Sequence, residues 1–367
     1  MGVCMERSTV LKRCEEEVYF AAVNSSEGFL SFFSELFSPN ELEHIVILKG
    51  GPGTGKSTAL RSIAADAEAV GERVVRFLCS SDPGSLDGVV IEGRKIGVLD
   101  GTAPHTMEAT YPGVGEELFD AGAFWDTARL KEQRELLFAL IRKKKEQYAL
   151  GYHLLHVAGE LYAERAALCC QSIKHEKLLS AARRQFRAFA NEAEGSGEHR
   201  QVTAFCGQGT VELDTFLRLA KTRIVVTNRH ACGEVYLDAL RQLATESGIS
   251  YQYSVEPLSP KSVRSLYFPM SQTLVYLGEE YEDFPVKTRV NLERFLDYES
   301  VRLHRNRLRF LDKCIDEISA RSAQSFLQAQ SLHATLESYY IKAMDFAALS
   351  KAWEKKKNAL LQKTELK

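Results

Sequence analysis

The sequence predicts an α/β fold of the P-loop NTPase type, with a parallel sheet and helices on both faces. It also predicts that this fold is duplicated, and that long antiparallel helices follow each copy. Three observations predict this arrangement: an apolar strand leads into a glycine-rich loop and a helix, further strands alternate with crossover segments, and the second half repeats the first. The 367 residues are enough for two domains, each with its own core.

The first elements follow from hydrophobic periodicity and from turn residues. Apolar residues at helical spacing predict a helix over 27–37. His44–Leu48 is a short apolar run that predicts a buried strand. The glycine loop comes next and leads into a predicted helix from Thr58 to about Val70. Strands are predicted at Val74–Leu78 and Ile96–Leu99.

Two long segments are almost free of glycine and proline and predict helices. The segment of about 124–189 predicts a pair of antiparallel helices broken near Gly151, and about 289–365 predicts the closing helices of the second half. The predicted domains are therefore a P-loop lobe with its helical hairpin at 1–195 and a degenerate P-loop-like lobe at 196–367.

The second half repeats the apolar strands of the first at an offset near 180 residues. Thr273–Leu277, for example, takes the place of Ile96–Asp100. The glycine loop is not repeated, and Lys56 falls near Val235 or Tyr236. We therefore expect a second lobe that folds like the first but does not bind phosphate, although chance similarity is an alternative because each single match is weak.

The segment Gly50–Ser57 satisfies the P-loop pattern G-x-x-x-x-G-K-[ST], between a predicted strand and a predicted helix. Glycines let backbone N–H groups point at a phosphate chain, and the start of the helix directs its positive dipole end at the same anion. Lys56 would contact the β- and γ-phosphates, and Ser57 would supply a hydroxyl for Mg²⁺. The residues expected to bind ATP are Gly51, Pro52, Gly53, Thr54, Gly55, Lys56, Ser57 and Thr58. The alternative is a glycine turn that merely precedes a helix.

Asp100 ends the predicted strand at Ile96–Leu99 and is the expected second acid, holding Mg²⁺ through water. The alternative role for Asp100 is to cap the turn that follows it. Many P-loop ATPases with rapid turnover place Glu directly after this acid, whereas this sequence has Gly101. Hydrolysis is therefore expected to be slow or to be catalysed from elsewhere, or the phosphate is transferred to an acceptor other than water.

Two further segments contain candidates for catalysis. Asp82 follows the strand at Val74–Leu78 and should emerge at the ligand-binding edge of the sheet, where it would orient a water or take a proton from an acceptor hydroxyl. It is equally well explained as a turn residue before Pro83. Thr102 or His105 would sense the γ-phosphate, and the alternative is a loop stabilised by its own hydrogen bonds.

Composition limits the partners. The formal net charge is −2, which counts against a dedicated nucleic-acid-binding protein. The basic run Arg142–Lys145 would suit a polyanion or a partner subunit's phosphates, but a solvated helix face is the more common explanation. The eight cysteines form no C-x-x-C pair, and no segment has the length of a membrane span. Reduced thiols are typical of a cytoplasmic protein.

Three stretches carry a resemblance: I-L-K-G-G-P-G-T-G-K-S-T, C-S-S-D-P-G-S-L-D-G at 79–88 and D-G-T-A-P-H at 100–105. Together they resemble an uncharacterised family of bacterial P-loop ATPase-like proteins built from two tandem lobes. The likeness covers about 45–125, with a further segment, L-E-S-Y-Y-I-K-A-M-D-F, at 336–346. It implies ATP binding on the loop, with Asp100 as the second motif. The second lobe of this family can carry its own glycine loop, and the sequence departs from the pattern there.

The sequence leaves several functions open. The first is an ATP- and Mg²⁺-binding, slowly hydrolysing switch that changes its affinity for a protein partner. The alternative is a kinase that transfers the γ-phosphate to the hydroxyl of a small molecule or nucleotide, with Asp82 as base and the 124–189 helices as lid. A nucleic-acid-dependent motor is the third function, and the near-neutral charge counts against it. An oligomer is compatible with the sequence, which assigns no arginine to the γ-phosphate.

Overall fold

The computed structural model describes residues 9–104, 106–189, 194–227 and 233–362. They form two compact units. The glycine-loop unit contains Glu15–Val23, Phe29–Leu150 and the chain from Gln324 onward. The companion unit contains the residues up to Cys14, Asn24–Gly28 and Gly151–Ala323. Each unit draws residues from both halves of the chain, so the division at residue 195 stays a prediction.

The structure is mixed α/β. The described strands are β1 Val10–Lys12, β2 Val18–Phe20, β3 Ala22–Ser25, β4 Gly28–Ser31, β5 His44–Lys49, β6 Val74–Leu78, β7 Leu86–Ile91, β8 Ile96–Asp100, β9 Glu116–Asp120, β10 Gly197–His199, β11 Thr203–Cys206, β12 Gly209–Leu213, β13 Thr222–Thr227, β14 Tyr251–Glu256, β15 Ser259–Phe268, β16 Thr273–Leu277 and β17 Thr288–Asn291. The described α-helices are α1 Phe33–Leu36, α2 Lys56–Ala69, α3 Thr127–Glu132, α4 Arg134–Cys170, α5 His175–Phe189, α6 Thr215–Leu219, α7 Gly233–Glu246, α8 Tyr298–Leu303, α9 Arg305–Lys342 and α10 Phe346–Gln362. Three short 3₁₀ helices lie at Glu92–Arg94, Ala121–Phe124 and Leu292–Phe295.

The glycine-loop unit contains a six-stranded sheet with the order β2-β6-β7-β8-β5-β9. β7 runs antiparallel to both of its neighbours, and the other pairs are parallel. The predicted strands β5, β6 and β8 are confirmed, as is the parallel pairing of β5 with β8. The sheet is nevertheless mixed and not purely parallel, because β7 returns between β6 and β8 after the seven-residue connection 79–85.

An aromatic cluster fills one region of this sheet. Phe37 contacts the edge of the Phe77 ring, with the ring centroids 5.4 Å apart. A Cβ added to Gly88 would lie 2.4 Å from the Phe37 ring, and one added to Gly97 would lie 2.9 Å from it. Glycine is therefore required at both positions, because the ring lies directly on the backbones of two neighbouring strands.

The companion unit contains a second six-stranded sheet with the order β10-β14-β15-β16-β13-β17. Its directions repeat those of the first sheet, since β15 is antiparallel to both neighbours and the other pairs are parallel. A core of apolar residues from α5, α7 and this sheet includes Leu237, Leu240 and Val275, which are fully buried. A three-stranded sheet, β1-β12-β11, also belongs to this unit.

Three predictions of helical structure are wrong in detail. The closing helices begin later than residue 289, because Thr288–Asn291 forms strand β17 and the first α-helix there starts at Tyr298. Residues 27–37 form strand β4 and only the single turn α1, because Gly28–Ser31 pairs with β3. Helix α4 does not break near Gly151 but continues to Cys170. The carbonyl of Gly151 accepts a hydrogen bond from Ser322 Oγ at 2.7 Å, so this glycine is packed inside the unit. Among the helices that the structure describes, none combines the length and the apolar composition that a membrane span needs.

Candidate functional site

The glycine loop connects β5 to α2, as the sequence predicts. Gly53 and Gly55 have φ values of 67° and 78°, in the left-handed region that side chains with a Cβ avoid. Gly55 immediately precedes the first residue of α2, Lys56. The loop therefore reverses the chain at the N-terminus of a helix, where backbone N–H groups are available to an anion.

The Lys56 ammonium group lies over this loop. It donates to the carbonyl of Gly51 at 2.8 Å and to that of Gly50 at 3.3 Å. Its Nζ is also 3.6 Å from Asp100 Oδ2, and both side chains are nearly buried, with exposures of 11% and 15%. The two charged residues predicted for the site are thus brought together, 44 positions apart in the chain.

Asp100 and Ser57 are the two residues that the sequence predicts as Mg²⁺ ligands. Asp100 is the last residue of β8 and pairs with Leu48 of β5, two residues before Gly50. Its Oδ1 accepts hydrogen bonds from the N–H and hydroxyl of Thr102, at 2.9 and 2.5 Å, so Asp100 also caps the turn after it. Ser57 Oγ accepts from the N–H of Leu86 at 3.1 Å. A hydroxyl has a second lone pair, so this bond leaves Ser57 able to bind a cation.

The position after Asp100 has no room for a side chain. A Cβ on Gly101 would lie 2.3 Å from Ile47 Cγ2 and 3.2 Å from the carbonyl of Met107. The loop here is also fixed by Lys49, whose ammonium group donates to the carbonyls of Gly101 and Met107 at 3.0 and 2.7 Å. The glutamate that many rapid ATPases have at this position is therefore excluded by packing.

Asp87 is a site residue that the sequence interpretation missed. It lies on β7 next to Gly88, which pairs with Leu99, so it faces the Asp100 end of β8. The side chain is buried, and burial followed by the nearby charge of Asp100 raises the pKa of Asp87 to about 8, while Cys79 and Lys56 lower it. A carboxylate inside the apolar run L-D-G-V-V-I was the available signal, but the unpredicted strand concealed it.

Asp82 forms the turn between β6 and β7. Its Oδ1 accepts from the N–H of Gly84 at 3.1 Å, and its carbonyl accepts from Ser85 at 2.9 Å. This is the turn role that the sequence offered as one explanation. Its charge also reaches the site, since it raises the pKa of Asp87. A role for Asp82 as a base stays a prediction, and the prediction for His105 lies outside the described residues.

Helices α9 and α10 pack directly on the glycine loop. The N–H of Gly53 donates to Glu337 Oε1 at 3.1 Å. A Cβ on Gly53 would lie 2.8 Å from Ile341, and one on Gly51 would lie 3.0 Å from Trp125. The Trp125 ring in turn packs on Tyr340, with centroids 5.4 Å apart. The resemblance segment at 336–346 is therefore one of the parts of the chain that cover the loop.

The basic run 142–145 is not uniformly solvated. Arg142, Lys143 and Lys145 are exposed, whereas Lys144 is half-buried and its Nζ lies 3.2 Å from His333 Nδ1. Burial, followed by the charge of Lys145, lowers the pKa of Lys144, while Glu337 raises it. The explanation as a solvated helix face is therefore wrong for Lys144, which faces the residues around the loop.

The companion unit differs at the corresponding positions. The described part of helix α7 starts with Gly233 and Glu234, whereas α2 starts with Lys56 and Ser57. The correspondence of Lys56 with Val235 or Tyr236 stays a prediction. Glu234 is buried and accepts a hydrogen bond from Tyr162. Residues 228–232, which replace the glycine loop, lie outside the described residues.

No family model matches this chain, and neither a curated protein nor a solved structure gives a significant match. The resemblance to P-loop ATPase-like proteins therefore stays an expectation that rests on the motifs and on the geometry around them.

Proposed function

We propose that the glycine-loop unit binds a nucleoside triphosphate, ATP with Mg²⁺, and that the chain acts as a slowly hydrolysing, nucleotide-dependent switch. The observation that carries the proposal is the glycine loop between β5 and α2, with Lys56 above it and Asp100 only 3.6 Å from the lysine ammonium. A phosphate chain requires inward-facing amides, a cation and a nearby acid for its metal, and this loop offers all three at one edge of a sheet.

Each residue of the proposed site would have its own role in binding the nucleotide and its metal. The loop residues Gly51–Thr58 would cradle the phosphates, and Lys56 would move from the loop carbonyls to the β- and γ-phosphates. Ser57 and Asp100 are the oxygen donors that suit Mg²⁺, which supplies positive charge against the phosphates when it is bound. Asp87, next to Asp100, would hold a further proton or a metal-bound water.

Slow hydrolysis follows from Gly101. Since packing excludes a side chain there, no acid can be placed directly after Asp100 to polarise an attacking water. A protein that holds its nucleotide for a long time is suited to a switch, in which the bound and free states differ in their affinity for a partner. The duplicated strand order supports a duplicated P-loop fold in which only one copy binds nucleotide.

The test is titration calorimetry with MgATP. We expect binding by the wild type and a loss of affinity of at least about 100-fold in Lys56→Ala, because the ammonium is the main cation beside the phosphates. Lys143→Ala, an exposed lysine of α4, is the matched control and should bind normally. Unchanged affinity in Lys56→Ala, with a folded circular dichroism spectrum, would refute the site.

Phosphoryl transfer to a hydroxyl acceptor is the second candidate, and Asp87 is the observation that favours it. Its carboxyl group is buried beside Asp100 and Lys56, and in its ionised form it would accept a proton from an acceptor hydroxyl. ATP turnover should then rise with one member of a panel of small hydroxyl compounds and nucleosides. Under the switch proposal no acceptor raises turnover and ADP remains bound.

A further inference from the structure

The end of helix α9 places a carboxylate on the amide that a phosphate would use. Glu337 Oε1 accepts the hydrogen bond of the Gly53 N–H at 3.1 Å. A carboxylate and a phosphate are both anions that accept charge-assisted hydrogen bonds from backbone amides. Resting on the nucleotide site proposed above, we propose that Glu337 is a built-in competitor of the nucleotide phosphates, so that the loop is occupied either by Glu337 or by a nucleotide.

The packing around this bond makes the two occupants exclusive. A Cβ on Gly53 would lie 2.8 Å from Ile341 and 3.1 Å from the backbone oxygen of Glu337. The helix backbone, and not only a flexible side chain, therefore lies against the loop. A phosphate on the Gly53 amide requires Glu337 to leave, and the nearby turn of α9 must shift with it because Ile341 is held at the same contact.

The charges around the loop suit such an exchange. Lys144 interacts with Glu337, and His333, one helical turn before Glu337, feels the charge of Lys56. When Glu337 leaves and a phosphate arrives, Lys56 and Lys144 face one anion in place of another. In both states an anion therefore lies near these cations. The exchange of Glu337 for a phosphate then leaves no positive charge at the loop without an anion.

Glu337 also explains why the glycines are needed in both states. In the state seen here, Gly53 and Gly51 let α9 and Trp125 approach the loop. In the nucleotide-bound state the same absence of side chains would let the phosphates approach the backbone. The final turns of α9, including Tyr340 and Ile341, are thus the part of the chain whose position would report whether the loop holds nucleotide.

The test compares MgATP affinity in the wild type, Glu337→Ala, Glu337→Gln and Glu317→Gln, by titration calorimetry. Loss of the competing charge-assisted bond should tighten binding by about tenfold or more in Glu337→Ala. Glu337→Gln should bind with intermediate affinity, because an amide oxygen still accepts the bond but carries no charge. Glu317→Gln, which alters an exposed residue of the same helix bonded to Arg321, should match the wild type.

Equal or weaker binding by Glu337→Ala, with the wild type still binding MgATP, would overturn this inference alone. Binding by neither protein would overturn the proposed function and the inference together. Hydrogen exchange on the wild type gives a second readout that needs no variant. Saturating MgATP should speed the exchange of amides in the last turns of α9, residues 333–342, and unchanged or slower exchange there would contradict the exclusion.

Discussion

The two six-stranded sheets share their strand order and directions but carry different chemistry at matching positions. Asp87 of β7 precedes Gly88, which pairs with Leu99, and Arg264 of β15 precedes Ser265, which pairs with Tyr276. Both side chains are held at the same register position of an antiparallel strand. One sheet thus places a carboxyl group there and the other a guanidinium group.

The charged neighbours of Arg264 and Asp87 differ as well. Arg264 donates to Glu256 at 2.6 Å and to Glu212 at 3.1 Å, so the companion unit neutralises its own buried acids. Asp87 instead lies beside a second acid, Asp100, and the lysine of the glycine loop. The fold accepts either arrangement. The acids, hydroxyl and ammonium of the glycine-loop unit are therefore not required by the sheet itself, and a ligand is the physical reason we propose for them.

The largest expected effect comes from removing Arg264. Arg264→Met leaves Glu212 and Glu256 buried without their guanidinium partner, and should destabilise the chain by about 3–5 kcal/mol. Urea denaturation followed by circular dichroism measures this loss. Both tryptophans, Trp125 and Trp353, lie in the glycine-loop unit, so tryptophan fluorescence follows that unit separately.

The control for Arg264 changes the whole cluster. Arg264→Met combined with Glu212→Gln and Glu256→Gln removes the buried charges together and should recover most of the lost stability. If Arg264→Met lowers the free energy of unfolding by less than about 1 kcal/mol, the companion unit does not depend on its internal ion pairs. The proposed contrast between Arg264 and Asp87 would then be wrong.

An intermediate effect is expected from His199 at acid pH. His199 is buried on β10, and burial lowers its pKa to about 4. Below the unfolded pKa of about 6.5 only the unfolded chain takes up the proton, so stability falls as the pH decreases from about 6.5 to 4, by about 3 kcal/mol. Urea denaturation at a series of pH values measures the slope.

The glycine-loop unit supplies the control for His199. In the first sheet Val18 of β2 pairs with Arg76, and in the second sheet His199 of β10 pairs with Tyr253. Val18 therefore occupies the register position that corresponds to His199. His199→Val therefore inserts the residue that the first sheet uses. This variant should lose the histidine component of the acid destabilisation. An unchanged pH profile would mean that other groups cause it.

Sequence patterns predicted the local part of the site. β5, the loop, α2 and the strand ending at Asp100 follow from apolar runs and glycine positions that lie close together in the chain. Strand β7 was missed because Asp87 and Gly88 interrupt its apolar pattern just after a turn. Short edge strands such as β2, with three residues, carry too little periodicity to be recognised.

The covering of the loop could not be predicted in the same way. Glu337 contacts Gly53 across 284 positions, and Lys144 contacts His333 across 189. Such contacts depend on how long helices pack, and no local pattern encodes them. The crowding that forces glycine at 101 is likewise visible only once Ile47 is placed beside it.

The smallest expected effect concerns Lys144 and separates binding from folding. Lys144 and Ile315 occupy matching positions of the two longest described helices, because each lies ten positions after the first residue of its helix, α4 or α9. Ile315 is fully buried. Lys144→Met should change stability by less than about 1 kcal/mol, because burial already disfavours its charge. Under the proposed function the same variant should weaken MgATP binding by roughly threefold to tenfold, since one cation near the phosphates is lost. Lys143→Met alters the exposed neighbour and should change neither quantity. Tighter MgATP binding by Lys144→Met, or an equal loss of affinity in Lys143→Met, would mean that Lys144 contributes to packing, as Ile315 does, and not to nucleotide binding.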